Sequence, residues 1–319
     1  MRRRWIKYVL AGLLAVHAGL SAGQPYPARP VKLIVPFPPG SATDVIARLV
    51  ATELQRELGQ PFVVDNRAGG QGTIAAEALV RSEPDGYTLM VATSALASTP
   101  SMLKSVPFDT NRDFTPISRL VYTALAVMVR KDFPAQTPQE FIQEAKKRAA
   151  KLTGGYGSPA GQIALSQLRT LGGFDLVLVP YKGIPTSITD VIGGTLDMTI
   201  SDLTNAMSQS RAGAVKIIGV TSSKRSPLVP DWPAMAESLP GYNVDAWIAL
   251  MGPRGLNADI AERLHAAATR AIAAEAVQTR LRGFGMTAAP MGPAEMRGFF
   301  ANEVQTYARL VKEAGIQPE

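Results

Sequence analysis

Apolar positions along the chain keep two rhythms, short β-branched runs and longer stretches at helical spacing, and their alternation predicts a series of strand-loop-helix units. Leu33, Ile34 and Val35 suit a buried strand, and Pro36, Pro38, Pro39 and Gly40 then force the backbone out of it. Ser41-Ala42-Thr43-Asp44 has the S-x-x-D form of a capping box, so a helix starts near Ser41. Ile46, Leu49, Val50, Leu54 and Leu58 continue at helical spacing, and Gly59 is the natural stop. The same logic gives a strand over 62–64, a glycine-rich turn over 66–72, a helix through Ile74, Ala78 and Leu79, and a strand over 87–92. Strands alternating with single helices argue for mostly parallel sheets covered by helices, an α/β fold.

Two runs break this rhythm. Residues 117–129 form a longer apolar stretch than any other strand candidate, and 247–251 form a second run flanked by Gly and Pro. Both are read as crossings between two lobes. Between them lies another α/β unit, with strands over 152–156, 176–179, 198–201 and 215–221 and a helix over 187–192. The expected division is a leader over 1–23, lobe one over 24–122, lobe two over 123–246, and a return to lobe one over 247–319. Ile260, Leu264, Ala267, Ala268 and Ile272 place the tail as helices on lobe one.

Composition changes the picture mainly at the N-terminus. Arg2, Arg3, Arg4 and Lys7 precede an apolar segment over 8–20, and Ser21 and Gly23 supply small residues for cleavage after Gly23. This predicts export, by the general secretory route or, given the paired arginines, the twin-arginine route. The apolar segment is short for a membrane span, and no later segment reaches that length. Cleavage lowers the formal charge from +7 to +3, mild basicity that suits an anionic ligand better than nucleic acid. The sequence has no cysteine, which excludes disulfides, thiolate metal sites, a cysteine nucleophile and an acylated N-terminal cysteine.

Catalytic and cofactor motifs are sparse. Gly70-Gln71-Gly72-Thr73-Ile74-Ala75 imitates a dinucleotide fingerprint, but no acidic residue ends a second strand some twenty residues on. Of two histidines, His17 belongs to the leader and His265 stands alone on a helix, without a G-x-S-x-G elbow for a triad. No metal-ligand spacing is present, so no catalytic residue, metal or cofactor is assigned. What remains is four loops at strand ends, over 37–44, 93–98, 158–162 and 181–186, rich in Gly, Ser, Thr and Pro. Unpaired amides and the positive dipole end of a helix N-terminus can hold a carboxylate without a catalytic side chain.

Five segments carry a resemblance: PVKLIVPFPPGSATDVIAR from Pro30, VVDNRAGGQGTIAAEALVRSEPDGYTL from Val63, PFDTNRDFTPI from Pro107, VPYKGIPTSITDVIGGTLDM from Val179 and GYNVDAWIALMGPRG from Gly241. In this order they resemble the substrate-binding proteins of tripartite tricarboxylate transporters, the Bug family. The resemblance implies a type II-like periplasmic-binding-protein fold, a Venus flytrap that closes on a small carboxylate such as a di- or tricarboxylate, an acidic amino acid or an aromatic acid. It implies a freely diffusing periplasmic monomer, membrane transporter subunits as partners, and the 69–72 loop as a packing element near the surface. Carried residue by residue, it places Phe37, Pro38, Gly40, Ser41 and Asp44 in a first ligand loop and Ser158 and Gly161 in another. Thr93, Ser94, Tyr181 and Asp202 join them as residues at strand ends, while Trp247 is either a cleft wall or plain core and Lys182 either a counter-ion or solvated. Ser41 replaces a usual glycine, the 158–162 loop is shortened, and Leu178 stands where a histidine is usual. The alternatives are an organic-acid hydrolase or lyase of the same architecture, and a ligand sensor docking on a membrane kinase.

Overall fold

The computed structural model describes residues 26–148, 152–181, 183–313 and 315–318. The leader with its cleavage site and Lys182 lie outside the described residues. The first half of the chain comprises β1 (Val31–Val35), α1 (Ala42–Leu58), β2 (Phe62–Asn66), α2 (Thr73–Val80), β3 (Thr88–Thr93), α3 (Ala95–Met102), β4 (Phe114–Arg130), α4 (Pro138–Lys147), β5 (Leu152–Tyr156) and α5 (Pro159–Gly172). It continues through β6 (Leu176–Pro180), α6 (Ile184–Ile192), β7 (Met198–Asp202), α7 (Leu203–Arg211), β8 (Val215–Val220), β9 (Asp245–Pro253), α8 (Ala258–Ala273), α9 (Glu275–Gly283), β10 (Thr287–Met291) and α10 (Pro293–Glu313).

Two lobes arise because one strand serves two sheets. The 17 residues of β4, at about 3.3 Å each, are long enough to cross both. Through Ala124 this strand pairs with β9, and from Leu125 it pairs with β7. The first sheet runs β2-β1-β3-β9-β4 with β10 on the far side of β4, and the second runs β6-β5-β7-β4-β8. In the first, β1, β2 and β3 are parallel and the returning β9 is antiparallel to both neighbours; in the second, β5, β6 and β7 are parallel and the incoming β4 is the reversed strand. Each lobe therefore holds a parallel set of strands interrupted by the strand that arrives from the other lobe, in line with the type II-like arrangement that the resemblance implies.

Period-two alternation sorts the side chains to two faces. Val31, Leu33 and Val35 enter the core under α1 and α8, whereas Ile34 faces a second core, and Leu125, Val127 and Val129 part from Ala124, Ala126 and Met128 in the same way. One of these cores is shared by both lobes and by α10, through Phe300, Tyr307, Leu310 and Val311. Helix α10 packs against α3 and also touches α5 of the second lobe, so the tail is not confined to lobe one. Strand β10 has no counterpart in the sequence reading, because Thr287-Ala-Ala-Pro-Met291 has a single β-branched residue, no alternation and a proline. The helix stop at Gly59 holds: its φ of 75° lies in the left-handed region, and its amide closes on the Gln55 carbonyl.

Candidate ligand-binding cleft

Open α/β sheets gather their loops at the carboxyl ends of parallel strands, and here those ends face each other across the lobes. They enclose a cavity of about 470 Å³. Pro36, Phe37 and Pro38 after β1 and Thr93, Ser94 and Ala95 after β3 form the wall on lobe one. Gly157, Ser158, Pro159 and Ala160 after β5 form the opposite wall, and Leu125 and Ala246 of the crossing strands the floor. Ser158 caps α5 by accepting a hydrogen bond from the Gly161 amide at 3.2 Å, and the Ala160 amide in the first turn has no intrahelical acceptor.

Phe37, Pro38, Thr93, Ser94 and Ser158 thus come together on the cavity, and six other candidate residues do not line it. In the first loop the polar groups satisfy one another. The Gly40 amide donates to Asp44 Oδ2 at 2.9 Å, the Asp44 amide to Ser41 Oγ at 3.2 Å, and the Ser41 amide to the Pro38 carbonyl at 3.3 Å. Gly40, Ser41 and Asp44 therefore sit behind the wall and shape it. The Gly161 amide is occupied by its cap. Asp202 caps α7, accepting from the Asn205 amide at 2.9 Å and its side chain at 2.7 Å. Tyr181 donates its hydroxyl to Asp190 Oδ2 at 2.5 Å and turns its ring to a neighbouring chamber.

Other parts of the wall escaped the sequence reading. Ala68, Gly69, Gln71 and Gly72 line the cavity, so the loop that the resemblance gave as a packing element near the surface also forms part of the cleft wall. Its glycine run was the visible signal. Tyr307 reaches the cavity from α10 and donates its hydroxyl to the Asp245 carbonyl at 2.9 Å; nothing in its helical context marks it. Trp247 is core, 1% exposed, and donates its indole N–H to Glu303 Oε2 at 2.8 Å. His265 Nδ1 pairs with Ser118 Oγ at 3.0 Å, outside the cavity wall. Among the described residues no group of three or more His, Asp or Glu could hold a metal ion, and no helix is long and apolar enough to cross a membrane.

Residues 46–316 match the model of the tripartite tricarboxylate transporter family receptor. This chain belongs to that family. Protein BugT of Bordetella pertussis is 34% identical over 314 residues, which cover 95% of this chain and 96% of the relative. Among solved structures, R. palustris Rpa4515 with adipate is 30% identical, covers 92% of this chain and 100% of its own, and superposes with a TM-score of 0.80. MatC from Rhodopseudomonas palustris with bound malate is 30% identical, covers 90% and 100%, and gives a TM-score of 0.74. Membership of the tripartite tricarboxylate transporter receptors makes this a periplasmic solute receptor and not an enzyme.

No charged side chain of the described residues lines the receptor's cavity. The N-termini of α3 and α5, one from each lobe, border it and carry the positive ends of their helix dipoles, and Thr93, Ser94, Ser98, Ser158 and Tyr307 are its hydroxyl-bearing residues. Ionisable groups are buried behind the floor instead. Burial pushes the Asp245 carboxyl up to about 6, against hydrogen bonds from Tyr122 and Asn243 and the charge of Arg119, and burial also raises Glu303. The Oδ1 atom of Asp245 has no hydrogen-bond partner among the described residues.

A raised carboxyl binds its proton more tightly folded than unfolded, where it titrates near 4. Its contribution to stability is full below about pH 4 and is lost as pH rises through about 6. Asp245→Asn in this receptor is therefore expected to flatten that decline and to melt higher than the parent at pH 8, the remaining slope belonging to Glu303. Melting temperatures across pH 4 to 8 test this; an unchanged slope contradicts it.

Proposed function

We propose that this receptor captures a small carboxylate in its interlobe cleft and presents the closed complex to the membrane subunits of a tripartite tricarboxylate transporter. One observation carries the reading. Helix N-termini from opposite lobes converge on a cavity of about 470 Å³ whose described lining has hydroxyls and amides but no charged side chain. Such a site favours an anion through dipoles and N–H groups, and binding across it draws the lobes together. Phe37, Pro38, Thr93, Ser94 and Ser158 are the proposed contacts, with Gly40, Ser41 and Asp44 as the frame of the first loop. The adipate and malate held by the two relatives support a carboxylate as the ligand class.

A thermal-shift screen of the mature protein against organic acids, amino acids and neutral analogues tests the reading. A ligand at 100 times its Kd adds about 2.7 kcal/mol, roughly 5 °C in melting temperature for a chain of this size. Stabilisation by an acid that keeps at least one carboxylate, and not by its fully amidated analogue, is the expected result. Stabilisation only by neutral or cationic compounds overturns it. Loss of uptake of the same acid on gene deletion tests delivery.

A further inference from the structure

The cleft does not end at the cavity described above. A second chamber of about 300 Å³ adjoins it, and Gln71, Gly157, Ser158 and Pro159 line both. Tyr156, Gln162 and Tyr181 supply its far wall from lobe two, and Met102, Ile316 and Gln317 close it from the other side. The last two belong to the C-terminal tail, which is held in place. After α10 the Gly315 amide donates to the Lys312 carbonyl and the Ile316 amide to the Val311 carbonyl, each at 3.1 Å, and Ile316 packs on the core shared by the lobes.

We propose that this chamber is a subsite for the far end of an elongated ligand, gated by Gln71 and walled by the C-terminal tail, and that it takes an uncharged polar group. The inference rests on the carboxylate reading above. Its chemistry follows from the lining: Gln71, Gln162 and Gln317 are carboxamides that both donate and accept, and no described residue lining the chamber is charged. A hydroxyl or carboxamide can use both the donors and the acceptors of these side chains, whereas a second carboxylate can use only the donors. Gln71 adds a second sign. It is held at φ 53°, ψ 30°, the left-handed region that costs a side chain energy, between glycines that occupy positive φ freely. Glycine at this position would relieve the backbone, so the carboxamide is present at the junction of the two chambers at a cost in stability.

Calorimetric titration with three acids separates the terms. Propionate reaches only the first chamber, adipate spans both with two charges, and adipamate, the monoamide of adipate, spans both with one. The parent is expected to bind adipamate at least tenfold more tightly than either other acid. In Gln71→Gly the melting temperature should not fall, while the adipamate preference over propionate drops at least fivefold; deletion of residues 316–319 should lower the same ratio. Equal affinity for adipate and adipamate, an unchanged ratio in Gln71→Gly, or binding of none of the three overturns the subsite. Binding of no carboxylate at all in the broader screen overturns the reading beneath it, so the two failures are distinguishable.

Discussion

Alanine at Gly157 is expected to weaken ligand binding sharply while the chain still folds. A Cβ at this position would stand 2.5 Å from the Gly183 carbonyl carbon and from the Ile184 amide nitrogen, both backbone atoms that cannot rotate aside. The loop after β5 and the loop before α6 must separate, and overpacking of this kind costs about 1–3 kcal/mol. Gly157 also lines the cleft and leads directly into Ser158, the cap of α5, so the separation moves the helix N-terminus that faces the ligand. At about 1.4 kcal/mol per tenfold, a comparable loss of binding energy lowers affinity by roughly tenfold to a hundredfold. Gly161 is the internal comparison. A Cβ there meets Ser158 Oγ and Tyr156 Cβ at 3.4 Å, close but not against the backbone, and a helical Gly→Ala change gains about 0.5–1 kcal/mol. Gly161→Ala should therefore retain binding within a few-fold. Titration of the two variants checks both statements, and parental affinity in Gly157→Ala contradicts the first.

The second large effect is expected at Asp44, which never touches the cavity. Its carboxylate, with a side chain 3% exposed, accepts from the Gly40 amide at 2.9 Å, Arg48 Nε at 3.0 Å and Asn66 Nδ2 at 2.8 Å. Asn66 in turn donates to the Phe37 carbonyl at 3.0 Å, so the network holds the loop that forms one wall of the cleft. Asp44→Ala leaves those donors without their acceptor. Breaking a buried charged pair costs several kcal/mol, but Arg48 is half exposed and can rehydrate, which brings the expectation to about 2–3 kcal/mol.

Titration of this group gives a sign to check. Burial acts to raise the Asp44 pKa, and the hydrogen bonds from Arg48, Gly40 and Asn66 outweigh it and leave it lowered. A lowered carboxyl contributes stability that is present above its unfolded pKa near 4 and is lost as pH falls through the folded value. Urea unfolding at pH 7 and pH 3 should therefore show a large parent-to-variant difference at neutral pH that shrinks in acid. Equal differences at the two pH values contradict the assignment.

Much of the architecture was legible in the sequence because local patterns agreed with the global fold. The S-x-x-D box at Ser41, the stop at Gly59, the long apolar run of β4 and the return run of β9 each mark an element whose boundary is set by nearby residues. Loops that would face one another were legible too, since strand ends in an open sheet share one side. Choosing among the loop residues was harder. The capping box pairs Ser41 with Asp44 in the sequence, but only folding shows that the Gly40 amide is taken by Asp44 and the Ser41 amide by the Pro38 carbonyl.

The sequence by itself determined the two-lobed α/β fold, the absence of thiol chemistry, and a family whose motifs run through most of the chain. The first two rest on periodicity, composition and local turns, which neighbouring residues settle, and the family rests on the resemblance of its quoted motifs. Tertiary structure alone decided which amides are spent inside the first loop, that the 69–72 glycine run reaches the cleft, and that Tyr307 and the tail residues Ile316 and Gln317 wall it from the far end of the chain. For Tyr307 and the tail the physical reason is sequence distance: they meet cleft residues more than a hundred positions away, through the packing of α10 across both lobes, which no local pattern encodes. The first-loop bonds are short in sequence, but which polar groups they use depends on how the backbone turns after β1.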